Sequence, residues 1–147
     1  MIELVATVTI SVSSILLFCY WFRCTCRLIL STATSRDYAT NVAQAHQLGF
    51  QEAQQQLSHG ATELDRLKDM LDHDYAVLAR LVNHAEDAQA RIERRMLAIH
   101  YRVATLTYQA GSKISASAAR QALEEMSEVV AHFANCIGEA AASSAAA

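Results

Sequence analysis

The side chains best able to do chemistry are scattered along this chain. It carries six histidines and four cysteines. Two metal ligands or an acid–base pair on one helix need a spacing of three or four residues, so that both donors share a face. No two histidines have that spacing, and no HExxH occurs. His46, His59, His84, His100 and His132 are isolated; His73 lies between Asp72 and Asp74, whose side chains leave the helix on other faces. Cys24-Thr25-Cys26 lacks two further ligands, and Cys136 stands alone. Asp65, Asp69 and Asp72 form an acidic line at i, i+4, i+7, which suits a solvated face or docking of a basic partner. Arg91, Arg94 and Arg95 could touch phosphates, but Ile92 and Glu93 interleave them and no aromatic platform accompanies them. GxGxxG, GxxxxGK[ST] and GxSxG are all missing. These residues predict no enzyme, no metal or other cofactor, no small-molecule substrate and no nucleic acid. The formal charge is −3, from 12 Lys and Arg against 15 Asp and Glu. That net balance offers no field for nucleic acid or for an anionic surface.

What the sequence does specify is helices. There is no proline and only 4 glycines, so the punctuation of a turn-rich fold is missing. Residues 4–22, LVATVTISVSSILLFCYWF, carry no charge. At ~1.5 Å per residue they cover roughly the ~30 Å hydrocarbon core of a bilayer. The spacing predicts a transmembrane anchor over 1–30, built on Leu4, Ile10 and Leu16. Tyr20 and Trp21 stand at the interface, and Arg23 and Arg27 come next. A cleavable signal peptide would instead start with basic residues, carry a shorter apolar run and end at small residues. Here the start holds Glu3, and bulky CYWFRC occupies the cleavage position. Arg23, Arg27 and Arg36 after the span place the N-terminus outside and the rest of the chain in the cytoplasm. Thr7, Thr9, Ser11, Ser13 and Ser14 within the span can bond back to their own helix or across to another. Cys24 and Cys26 sit at headgroup level, where palmitoylation occurs. The unpaired cysteine pattern fits a reducing compartment.

A linker over 31–35 ends in the capping-box spacing of Thr34 and Asp37, which starts a helix near Ser35. Steps of seven from Ala43 reach Phe50, Leu57, Leu64, Leu71, Leu78, Ala85, Ile92, Ile99 and Leu106, all apolar. Companion positions are Ala53, Gly60 and Leu67, and after Asp74 they shift by one to Tyr75, Val82, Met96 and Val103. The shift is a stutter, and it leaves Asp74, Arg95 and Arg102 as polar intruders on the first register. The expectation is one long coiled-coil-like helix over 36–110, whose stripe a homo-oligomer or a helical partner covers. Gly60 is the point where it would break into a bundle instead. Gly111-Ser112 ends that helix. Ser115 or Ser117 then caps a shorter antiparallel return helix over 112–141, built on Ala119, Leu123, Met126, Val129, Val130, Phe133 and Ile137. A turn of that length sets Arg102 beside Glu124 and Glu125. Residues 142–147 read as a disordered, alanine-rich tail.

The all-α layout of a span and then a heptad helix resembles phage inner-membrane spanins, which drive host lysis from the periplasm. Those proteins keep a basic N-terminus that this chain lacks. The layout also resembles the peripheral-stalk b subunit of rotary ATP synthases, whose eleven-residue repeat is replaced here by seven. From the residues themselves the expectation is a membrane-anchored tether, scaffold or assembly factor with the lipid bilayer as one partner.

Overall fold

A computed structural model describes residues 1–31, 37–82 and 88–146 of the chain. Among the described residues all regular structure is helical: α1 (Ile2–Ser31), α2 (Ala39–His46), α3 (Phe50–Ser58), α4 (Leu64–Val82), α5 (Ala88–Gly111) and α6 (Ala116–Ala146). The chain forms two compact units, Met1–Thr32 and Ala33–Ala147. Thr34 of the capping box, the 32–35 part of the linker, His84 and Ala85 lie outside the described residues.

The first unit is α1. It continues through Arg23 and Arg27 to Ser31, and it is long and apolar enough to cross a membrane. Leu4 is 70% exposed, Ile10 67% and Leu16 64%, with Tyr20 and Trp21 similarly open. Each such side chain left in water forfeits roughly 1.5–3 kcal/mol that burial would supply. The hydroxyls of Thr7 and Thr9 donate to the carbonyls of Glu3 and Val5, both at 2.8 Å. These polar groups are therefore satisfied within the helix, as an apolar environment requires.

In the second unit the 36–110 stretch, expected as one heptad helix, is instead divided into α2, α3, α4 and α5. Two of the breaks have the same cause. Gln47 after α2 has φ 54° and Gly60 after α3 has φ 77°. The amide of Leu48 donates to the Ala43 carbonyl and that of Ala61 to the Gln56 carbonyl, both at 2.9 Å. This left-handed cap turns the chain out of a helix. Glycine adopts it freely at 60, and Arg120 Nη2 adds bonds to the Gly60 and Ala61 carbonyls at 3.2 Å. Gln47 lacks that freedom, and left-handed backbone costs a non-glycine residue roughly 1–2 kcal/mol. The unbroken register from Leu57 to Leu64 therefore bridges a turn. α4 ends at Val82 and α5 begins at Ala88; residues 83–87 lie outside the described residues.

All four of these helices pack on α6. Its buried positions include Ala119, Ala122, Leu123, Met126, Val129, Val130, Phe133 and Ala134. At 100° per residue they span about 140° of the helix circumference, broader than an amphipathic stripe of about 100°. At Gly138 the close neighbour is Tyr38: an added Cβ would stand 2.2 Å from the Tyr38 Cβ. Asn135 and Asp37 Oδ1 both accept from the Ala39 amide, at 2.7 and 3.1 Å, and so hold the start of α2. The 142–146 stretch expected as a tail continues α6 to Ala146, in keeping with alanine's rank as the strongest helix former.

Candidate functional site

The polar residues singled out in the sequence mostly serve the second unit's own assembly. Asp74, the intruder at the stutter, is buried and its Oδ2 accepts from the Gly49 amide at 2.8 Å, at the start of α3. Burial pushes its carboxyl above the ordinary range, while the amides of Gly49 and Phe50 pull the other way. A carboxylate at this point satisfies amides that the first turn of a helix leaves unbonded. The polar residue at the register shift is thus a cap supplied from another helix.

Two members of the acidic line are engaged as well. Tyr101 Oη donates to Asp72 Oδ1 at 2.8 Å and Tyr108 Oη to Asp65 Oδ1 at 2.6 Å. Lys68 Nζ lies 2.6 Å from Asp72 Oδ2. Burial, then the bond to Asp65, pushes the Tyr108 phenol up to about 12, and the same causes raise Tyr101 through Asp72. The Tyr101 ring stacks on Tyr75 with centroids 3.9 Å apart, and Tyr75 in turn meets Phe133. So α4 and α5, both seated on α6, reach one another through tyrosine side chains. Glu125 meets His100, Oε2 to Nε2 3.8 Å, with both residues buried. Arg102, the partner that turn length suggested for Glu125, is exposed.

His132 and Cys136 share a face of α6 and line a groove of about 560 Å³ with Glu93, Arg94 and Leu97. A nucleophilic cysteine needs a lowered thiol pKa beside a protonated histidine. Here burial, with smaller contributions from Glu139 and Glu93, raises the Cys136 thiol. Burial lowers His132 against the opposing pull of Glu93. Both shifts favour a neutral thiol and a neutral imidazole. Among the described residues no cluster of His, Cys, Asp and Glu is arranged to hold a metal ion.

The heptad residues fall into two sets. Phe50, Leu57, Leu71, Leu78 and Val82 are buried, while Leu64 and Met96 are half-buried. Ile92 is 63% exposed, Ile99 52% and Leu106 63%. The later part of the seam therefore faces outward on α5, whose inner face is Leu97, His100, Tyr101, Ala104 and Tyr108. Arg91, Arg95 and Arg102 are exposed along one edge of that outward stripe. Arg91 and Arg95 also line a groove of about 670 Å³ with Tyr75, Val82, Ile92 and Phe133. Arg94 lines the same groove, and its Nη1 donates to the Val82 carbonyl. The sequence reading set Ile92 and Ile99 in a helix–helix seam; within this chain they stand uncovered, and the arginine edge was not singled out. The signal was present: Arg95 and Arg102, seven apart, each precede an apolar position by one.

Compared with protein-family models, with curated proteins and with solved structures, the chain matches none.

Proposed function

We propose that the chain is a single-pass membrane protein that holds a helical domain at a bilayer and acts as a tether or scaffold. One observation carries this reading: α1 is 30 residues long, apolar, and open along its outer apolar positions. In water that surface would drive aggregation, whereas in hydrocarbon it needs no protein partner. Arg23 and Arg27 at its far end favour the cytoplasm for the second unit, with the N-terminus outside. The second unit would work through contacts of helix faces. Its return helix α6 takes the role expected of a coiled-coil partner for the stripe from Phe50 to Val82. Spanin-like and stalk-like layouts call for one long helix after the span, and the division into α2 to α5 lends them no support.

Membrane fractions of cells producing the full chain supply the test. Alkaline carbonate should leave the protein in the pellet and detergent should release it; recovery in the carbonate supernatant would overturn the anchor. Cys136 is half-buried and a slow reporter of sidedness. A Ser112→Cys chain labels faster, and the exposed new thiol should react with impermeant maleimide only after the cytoplasmic side is opened. Labelling from the outside would reverse the orientation.

A further inference from the structure

We infer that the outward face of α5 is a docking surface for anionic phospholipid, on which the helix lies in the plane of the membrane. Three features of the surface select this occupant. First, Ile92, Met96, Ile99, Val103 and Leu106 recur at spacings of 4-3-4-3, and four of them are exposed. They give one apolar stripe about 21 Å long at 1.5 Å per residue. Second, Arg91, Arg95 and Arg102, all exposed, fall within about 40° of one another along a single edge. Long basic side chains beside an apolar stripe can reach phosphates while their stems cover hydrocarbon. Third, α5 carries four arginines against one glutamate, Glu93, in a chain of net charge −3. The positive charge is concentrated on this helix, which the net balance conceals.

A second copy is the rival occupant, and the same features disfavour it. Two stripes laid together in opposite directions would set Arg95 and Arg102 of one copy against those of the other. Roughly two heptads are also short of the three to four that sustain a coiled coil. A bilayer makes neither demand. The inference rests on the anchored reading, because α1 would keep the domain beside lipid at high local concentration, so a weak interfacial affinity suffices. The cytoplasmic leaflet to which Arg23 and Arg27 point is the anionic one.

The full chain carrying Leu106→Cys, labelled with an environment-sensitive fluorophore, tests this. The unsubstituted chain treated identically gives the background from its own thiols. Both are reconstituted into vesicles of phosphatidylcholine, alone or mixed with phosphatidylglycerol. In the mixed vesicles emission should shift to the blue, and spin-labelled lipid should quench it. Adding R91Q, R95Q and R102Q should weaken this partition about fivefold per arginine, on the order of 100-fold for all three. Emission that stays aqueous in both lipids, from protein that floats with the vesicles, would overturn the surface while leaving the anchor standing. Protein that fails to float would sink the anchored reading itself. A blue shift that tracks protein density, ignores lipid charge and resists lipid quenching would mean that a second copy covers the stripe, and would also overturn the proposal.

Discussion

At Gly138 the missing Cβ matters more than helix propensity. Alanine there would gain roughly 1 kcal/mol of propensity in an isolated helix. In the folded unit its methyl would meet the Tyr38 Cβ at 2.2 Å and the Val42 Cγ2 at 3.3 Å. The Tyr38 Cβ is tied to backbone and cannot swing aside. G138A should therefore lower stability by about 1–3 kcal/mol, as overpacking of a tight contact does. Chemical denaturation monitored by circular dichroism measures it, and in a Tyr38→Gly background, which removes that Cβ, G138A should cost much less. Asp74 gives a second prediction with a pH signature. Asp74→Ala leaves the Gly49 amide without its acceptor, at a cost of about 1–3 kcal/mol. Asp74→Asn keeps an acceptor oxygen and removes the buried charge. Because the folded carboxyl titrates above its ordinary value of 3.8, the folded state binds the extra proton in the window between the two values. Stability from this group is thus present below 3.8 and is lost as pH rises through the folded value. The difference between D74N and the parent chain should move in favour of D74N from acid toward neutral pH. A difference that is flat with pH would remove the charge from the account.

A seven-residue repeat is ambiguous at the scale of elements, and substitutions in it should separate its two halves. Leu71 and Leu78 are fully buried, so Leu71→Ala should cost about 2–5 kcal/mol. Ile99→Gln, on the open face of α5, should stay within about 0.5 kcal/mol in solution. Equal losses at both positions would restore a continuous buried seam. The helical class and the N-terminal apolar helix were legible in local composition, and α5 does end at Gly111, although without the left-handed backbone of a glycine cap. The division of 36–110 was not legible. Apolar residues seven apart satisfy a coiled coil and equally satisfy separate helices laid on a common neighbour. Gly60 was readable as a break, whereas Gln47 in a left-handed conformation has no residue-type signal. Ala122-Leu123 and Val129-Val130 hinted at the breadth of α6, since adjacent apolar residues widen a stripe beyond one contact face. Asp74 stood out in the sequence only as a polar intruder on the register, because its partner, the Gly49 amide, lies 25 positions away in the chain.

For the whole molecule, the decisive question is whether the second unit needs another chain to cover its apolar residues. Its buried residues on α2, α3, α4 and α5 face one helix of the same chain. A fragment of residues 37–147 should accordingly fold without the span, with high helicity and a single cooperative transition. Because α6 comes from the same polypeptide, the transition midpoint should not depend on protein concentration, unlike that of an obligate coiled coil. Thermal melts over a wide concentration range, with sedimentation at each, measure both properties. A midpoint that climbs with concentration would return the stripe to an intermolecular partner. Leu123→Asp sharpens the comparison, since a charge in the fully buried centre of α6 has no solvent to reach and costs several kcal/mol. If α6 is the shared neighbour, helicity should fall across α2 to α5 together. If those helices instead stand as a self-sufficient rod, only the helicity of α6 should disappear.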